Sequence, residues 1–140
     1  MSDRHARHRR SPADRRRRPV DGYRVADADR FDRLVDDAVG GLPDELLRYL
    51  DEVEMAVAEV PPGGADEREV VLGRLRRLPA NASSRGPGAA TARLTVYRRP
   101  LEARAHNRAD LLELIQLVVV QELADHFGIG DDRLDELGWG

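Results

Sequence analysis

Apolar residues return along this chain in two rhythms, and the change of rhythm marks its elements. From Asp27 to Val39, Phe31, Leu34, Val35 and Ala38 recur at intervals of three and four, the spacing of one helix face. Asp27 or Asp29 is placed to cap that helix, and Gly40-Gly41 to stop it. Pro43 then opens a second, short helix through "PDELLRYL". Over residues 53–60, "VEMAVAEV", the period falls to two. Val53, Met55, Val57 and Glu59 share one face and Glu54, Ala56 and Ala58 the other, which predicts a strand. "PPGGADE" reads as a loop. Residues 69–79, "EVVLGRLRRLP", fit either a strand or a short helix broken at Gly73. Residues 80–90, "ANASSRGPGAA", are small and rich in Gly, Pro and Ser, and read as a mobile loop. "ARLTVYRRPLE" returns to period two, with Leu94, Val96 and Arg98 against Thr95 and Tyr97, as a strand ending at Pro100.

The strongest signal is "DLLELIQLVVVQELADHF", residues 110–127. Leu111, Leu112, Ile115, Val118, Val119 and Leu123 form a broad apolar helical stripe. Asp110 and Glu113 fit a D-x-x-E capping box, and Gly128 can end the helix in the left-handed conformation. "DDRLDELG" adds a last turn or short helix. The expected order is helix, helix, strand, a looped β region, strand and a long buried helix. That is an α+β domain with a small, few-stranded sheet packed on one long helix.

A chain of 140 residues suits a single domain with a modest core. It has no cysteine, which excludes disulfides, thiolate metal sites and thiol nucleophiles. No apolar run approaches the ~18 residues of a membrane span, and the first residues lack the apolar region of a secretory signal. A cytoplasmic protein without a membrane partner is expected. The charge is divided unevenly. Residues 1–22 hold eight Arg against three Asp, and the whole chain carries −3, so residues 23–140 carry −8. Residues 1–26 are therefore expected to be a disordered Arg-rich tail, and 27–140 the folded domain. Nucleic acid is a candidate partner only through that tail, because the acidic body lacks the basic stripe and interleaved aromatics of a nucleic-acid fold.

Candidate chemistry gathers in "VVVQELADHFGIGDDRLDELGW", residues 118–139. In a helical H-E-x-x-H motif the two histidines lie one turn apart and reach one metal ion, and the Glu between them takes a proton from metal-bound water. A following Gly reverses the chain so that a third ligand folds back. On this template Gln121 and Asp125 stand at the histidine positions, Glu122 at the general base, Gly128 at the turn and Asp131 at the third ligand.

The wider sequence resembles the minimal zincin-like metallopeptidases, small bacterial proteins with the motif H-E-x-x-H-x-x-G-x-x-D. "DHFGIGDDRLDELG" is similar to the continuation of their motif helix. "FDRLVDDAVGGLPDEL" resembles their N-terminal helix and "LP" turn, "VEMAVAEVPP" their first strand, and "LTVYRRPLE" a strand reading roughly "ITIYRRPLE". The resemblance spans about residues 28–138. It implies a zincin-like fold, with zinc as cofactor and Gln121, Asp125 and Asp131 at the ligand positions. It departs at both histidines and at "VLGRLRRLPANASSR", which keeps Leu72, Gly73 and Pro79 of a family segment that walls the cleft but loses an aromatic and a second glycine.

The altered donors change the expected chemistry. Zinc prefers nitrogen and sulfur, whereas Gln121, Asp125 and Asp131 offer only oxygen, a set suited to a hard cation such as Mg²⁺, Mn²⁺ or Ca²⁺. His126 is an alternative ligand, one turn from Glu122 on a face rotated from the motif positions; its other reading is a structural histidine. Without a metal Glu122 becomes a relic or a partner for an Arg such as Arg133, and Asp131 can instead cap the last helical turn. Tyr97 and Trp139 read as packing residues, and His106 as a solvated loop residue. Three functions follow. The first is a pseudo-peptidase without zinc or proteolysis that binds a peptide or protein. The second is an active peptidase using Asp125, Asp131 and His126. The third is a binding protein acting through its basic arm.

Overall fold

The most regular alternation in the sequence lies at the centre of the sheet. The computed structural model describes residues 25–63, 70–79 and 89–139. Among them are helices α1 (Val25–Gly40) and α2 (Asp44–Tyr49) and strands β1 (Val53–Ala58), β2 (Gly73–Arg77) and β3 (Ala92–Tyr97). Helices α3 (Arg98–Arg104), α4 (Arg108–Phe127) and α5 (Asp131–Glu136) follow. Within β3, Ala92, Leu94 and Val96 are wholly buried while Arg93 and Thr95 between them are not. β1 lies parallel to β3 on one side and β2 antiparallel on the other.

One face of this mixed sheet packs on α4. Ile115, Val118, Val119, Val120 and Leu123 of α4 join Leu94 and Val96 in one core, closed by Phe31, Leu34, Val35 and Ala38 of α1. Each such side chain contributes about 1.5–3 kcal/mol when removed from water, so the apolar stripe of α4 is the axis on which the fold is assembled. The other face of the sheet bears Glu54 and Ala56 of β1, Arg93 and Thr95 of β3, and Arg74 and Arg76 of β2, in register.

Residues 69–79 were open between strand and helix; β2 resolves them as a strand over Gly73–Arg77. The strand expected to run to Pro100 stops at Tyr97, and Arg98 begins α3. Pro100 is the third residue of that helix, where the N–H has no intrahelical partner and a proline loses nothing. The expected Asp110–Glu113 capping box is also corrected. Asn107 is the N-cap, its side chain accepting from the Asp110 N–H at 2.8 Å, while the Asp110 carboxylate accepts from the His106 N–H at 2.9 Å. α1 begins at Val25, ahead of the caps expected at Asp27 or Asp29. Gly128 does end α4 in the left-handed region, at φ 72°. The Arg-rich tail through residue 24, residues 64–69 (the end of the "PPGGADE" loop and the two residues after it) and residues 80–88 of the small-residue loop lie outside the described residues.

Arg98, at the β3–α3 junction, is a buried charge, 7 % exposed. Its guanidinium donates to both oxygens of Glu59, at 3.0 and 2.8 Å, and to Glu102 at 2.7 Å. These bonds hold the Glu59 carboxyl below its ordinary pKa, against burial, which pushes it up. The junction ties the end of β1 to the start of α3. No helix among the described residues is long and apolar enough to cross a membrane.

Candidate functional site

Helical geometry sorts the motif positions of α4 onto different surroundings. Gln121 and Asp125 are one turn apart on one face, and both are exposed. Glu122, rotated by about 100°, is half-buried and reaches β2. Its Oε1 accepts a hydrogen bond from the Leu75 N–H at 2.8 Å. The partner is thus a strand backbone 47 residues away, where sequence reasoning offered Arg133.

β2 comes close enough for this bond because Gly73 faces the helix. A Cβ at Gly73 would lie 2.5 Å from Val118 Cγ1 and 3.2 Å from the Thr95 carbonyl oxygen, so any larger residue pushes the strand away. Above the contact lies a cleft of about 410 Å³ lined by Val70–Arg74 of the strand segment and by Val118, Gln121 and Glu122 of α4. Leu75 and Arg74 stand outside the sequence candidates, while Gly73 belongs to the segment expected there to wall the cleft. The pairing of Glu122 with a distant strand edge had no local signal.

The remaining candidates stand apart from the cleft. Asp131 is the exposed first residue of α5; Gly130 occupies the cap position, so Asp131 does not serve as the expected cap. α5 is pinned to α2 by Arg133, whose guanidinium binds Glu45 and also reaches Glu136. The hydrogen bond from Arg133 holds the Glu45 carboxyl below its ordinary pKa. Phe127 completes the attachment, its ring 4.9 Å from that of Tyr49. His126 packs edge-on against Phe127, centroid to centroid 4.7 Å, a packing position. His106 is exposed between α3 and α4, and Tyr97 is buried, as expected.

The donor set at the family's ligand positions differs from the one zinc favours. Zinc sites draw on imidazole or thiolate, and the three family ligand positions hold an amide and two carboxylates. Among the described residues, no three His, Asp or Glu side chains converge as a metal-holding group. The arrangement can instead present a polypeptide edge. In β2 the Leu72 carbonyl accepts from the Tyr97 N–H, and the Leu78 N–H donates to the Thr91 carbonyl. Bonded pairs in an antiparallel ladder alternate, so residues 72, 74, 76 and 78 face β3. Gly73, Leu75 and Arg77 then turn their backbone groups outward.

A family model described as zincin-like metallopeptidase matches residues 50–139. The match covers the sheet, α4 and α5, and leaves out residues 28–49 of the stretch on which the resemblance was drawn. No curated protein matches the chain.

Proposed function

The chain belongs to the zincin-like metallopeptidase family, and we propose that it is a peptide-docking member of it, without the family's zinc chemistry. The observation that carries this reading is the 2.8 Å bond from the Leu75 N–H to Glu122 Oε1. A catalytic glutamate in this position takes a proton from water whose pKa the metal has lowered from 15.7 to about 7. Here that carboxylate satisfies a strand edge, and its neighbours at the histidine positions are Gln121 and Asp125. What the scaffold keeps is an outward-facing row of backbone donors and acceptors beside a cleft. Such an edge binds an extended peptide by adding it as a further strand, main-chain hydrogen bonds supplying affinity and side-chain pockets supplying selectivity. Glu122 acts as a placeholder on that edge, occupying the Leu75 N–H until a peptide carbonyl displaces it.

The test is metal content by mass spectrometry after zinc loading and desalting, beside the double reversion Gln121→His/Asp125→His. The natural chain is expected to be empty and the reverted chain to hold a single zinc ion. An extended peptide should bind the natural chain equally with and without chelator. Stoichiometric zinc in the natural chain, or peptide cleavage lost in Glu122→Gln, overturns the reading.

A further inference from the structure

We infer that the strand docked on β2 is acidic, with carboxylates at every second residue placed beside Arg74 and Arg76. The inference rests on the docking reading above and names the class of partner it selects.

A strand added to the outward groups of Gly73, Leu75 and Arg77 continues the sheet, so its side chains alternate between the sheet's two faces. On the α4 side they meet the cleft, lined there by Val71, Gln121 and Glu122 over the buried Val118. On the open side they lie next to Arg74 and Arg76. Residues 70–79 carry three Arg and no acidic residue, within a body of net −8. Arg76 and Arg77 are exposed and Arg74 half-buried. Among the described residues none of the three has an ion-pair partner.

Their neighbours add to the cost of leaving them so. Arg76 stands directly across from Arg93 in the register, and like charges placed opposite each other destabilise a sheet. Glu54 on β1 meets Arg93 at 3.2 Å, but β3 stands between it and β2. Carboxylates two residues apart on an incoming strand share one face at a spacing of about 6.8 Å, which matches the spacing of Arg74 and Arg76 along β2. An acidic strand thus neutralises the two arginines as it satisfies the backbone edge. A single-stranded nucleic acid would meet the same cations but would leave the outward backbone groups unpaired. Among the described residues it would also find no exposed stacking ring on this face, since Tyr97 is 4 % exposed.

The experiment measures fluorescence anisotropy of labelled heptapeptides on the full chain. The three peptides alternate valine with glutamate, with glutamine or with lysine. The glutamate peptide should bind about tenfold more tightly than the glutamine peptide, the effect of two exposed ion pairs, and added salt should narrow the gap. In Arg74→Glu/Arg76→Glu the preference should pass to the lysine peptide, a reversal that an unfolded variant cannot produce. Equal affinity for the glutamate and glutamine peptides overturns the acidic selection and leaves docking standing. Failure of all three peptides to bind overturns both. A thymidine decamer that displaces the glutamate peptide from Arg74 and Arg76 overturns the choice of a peptide.

Discussion

The two halves of α4 each border a cleft of similar size, and charge beside them is answered from within the fold to different degrees. Near its N-terminus a cleft of about 450 Å³ is lined by Phe31, Leu34 and Leu111, with Arg98, Glu102 and Arg108 at its walls. There two of the three arginines in the lining are met from within the fold, while Arg30 has no ion-pair partner among the described residues. Arg98 is bound by Glu59 and Glu102, and Arg108 lies 3.5 Å from Asp37. In the C-terminal half the cleft of about 410 Å³ borders a strand whose arginines have no such partners among the described residues. A strand backbone there leans on a carboxylate, that of Glu122. Charges answered by the chain itself serve the fold. Groups left facing outward, at regular spacing and beside a cleft, are those on which an external strand can act.

Breaking the closed half should have the largest effect. Arg98→Ala takes the buried guanidinium from Glu59 and Glu102 and leaves Glu59 only the exposed Arg99, 3.2 Å away, a change that costs about 3 kcal/mol, measurable by urea denaturation. The peptide edge, on the far side of the sheet order from β1, should be disturbed only through global stability. The same junction sets a pH dependence. The Arg98 guanidinium holds the Glu59 carboxyl below its ordinary pKa in the folded state, so its contribution is fully present above the unfolded value and is lost as pH falls through the folded one. Glu59→Gln should therefore flatten the loss of stability from about pH 5 downward relative to the natural chain. An equally steep loss would show that Arg98 does not hold that carboxyl.

Gly73→Ala tests the open half. The added methyl meets Val118 Cγ1 and the Thr95 carbonyl oxygen, and overpacking of this kind costs about 1–3 kcal/mol. Val118→Ala should rescue part of it, since the nearest clash is with that side chain. A double-mutant cycle that is simply additive would mean that β2 yields by moving as a whole. Smaller again is Asn107→Ala, which removes the α4 cap at a cost of about 1 kcal/mol and should leave the peptide edge untouched.

The parts of this molecule legible in sequence are those set by local periodicity. The stripe Ile115–Val118–Val119–Leu123 announced α4, the alternation of Leu94 and Val96 announced β3, and Gly128 stands where a helix must reverse. α3 was missed because Pro100 read as a strand terminator, although a proline in a first helical turn forfeits no bond. The true cap, Asn107, stands three residues before Asp110, where the acidic pair Asp110–Glu113 gives a stronger local signal. At the candidate site, sequence located Glu122 but not its partner. Which backbone groups of β2 face outward depends on the β2–β3 register, and a shift of one residue would turn Leu75 inward and Arg74 outward. No residue within the strand fixes that choice by itself; the close approach of Gly73 to Val118 does so across the core.

The smallest change in stability carries the sharpest functional distinction. Glu122→Ala removes one half-buried hydrogen bond, and the freed Leu75 N–H opens onto a cleft where water can reach it, so the loss should be about 1 kcal/mol or less. Its effect on binding should have the opposite sign. With the placeholder gone, a peptide carbonyl takes the Leu75 N–H without first displacing a carboxylate. The uncharged valine–glutamine peptide should then bind a few-fold more tightly, reported by the same anisotropy titration. That peptide is the right probe, because it separates release of the edge from removal of a negative charge near an acidic ligand. A glutamate that performs hydrolysis gives another result: its loss abolishes turnover and leaves peptide affinity much as it was. Unchanged or weakened affinity in Glu122→Ala would mean that β2 does not exchange Glu122 for a peptide, and the contrast between the two halves of α4 would reduce to one of stability alone.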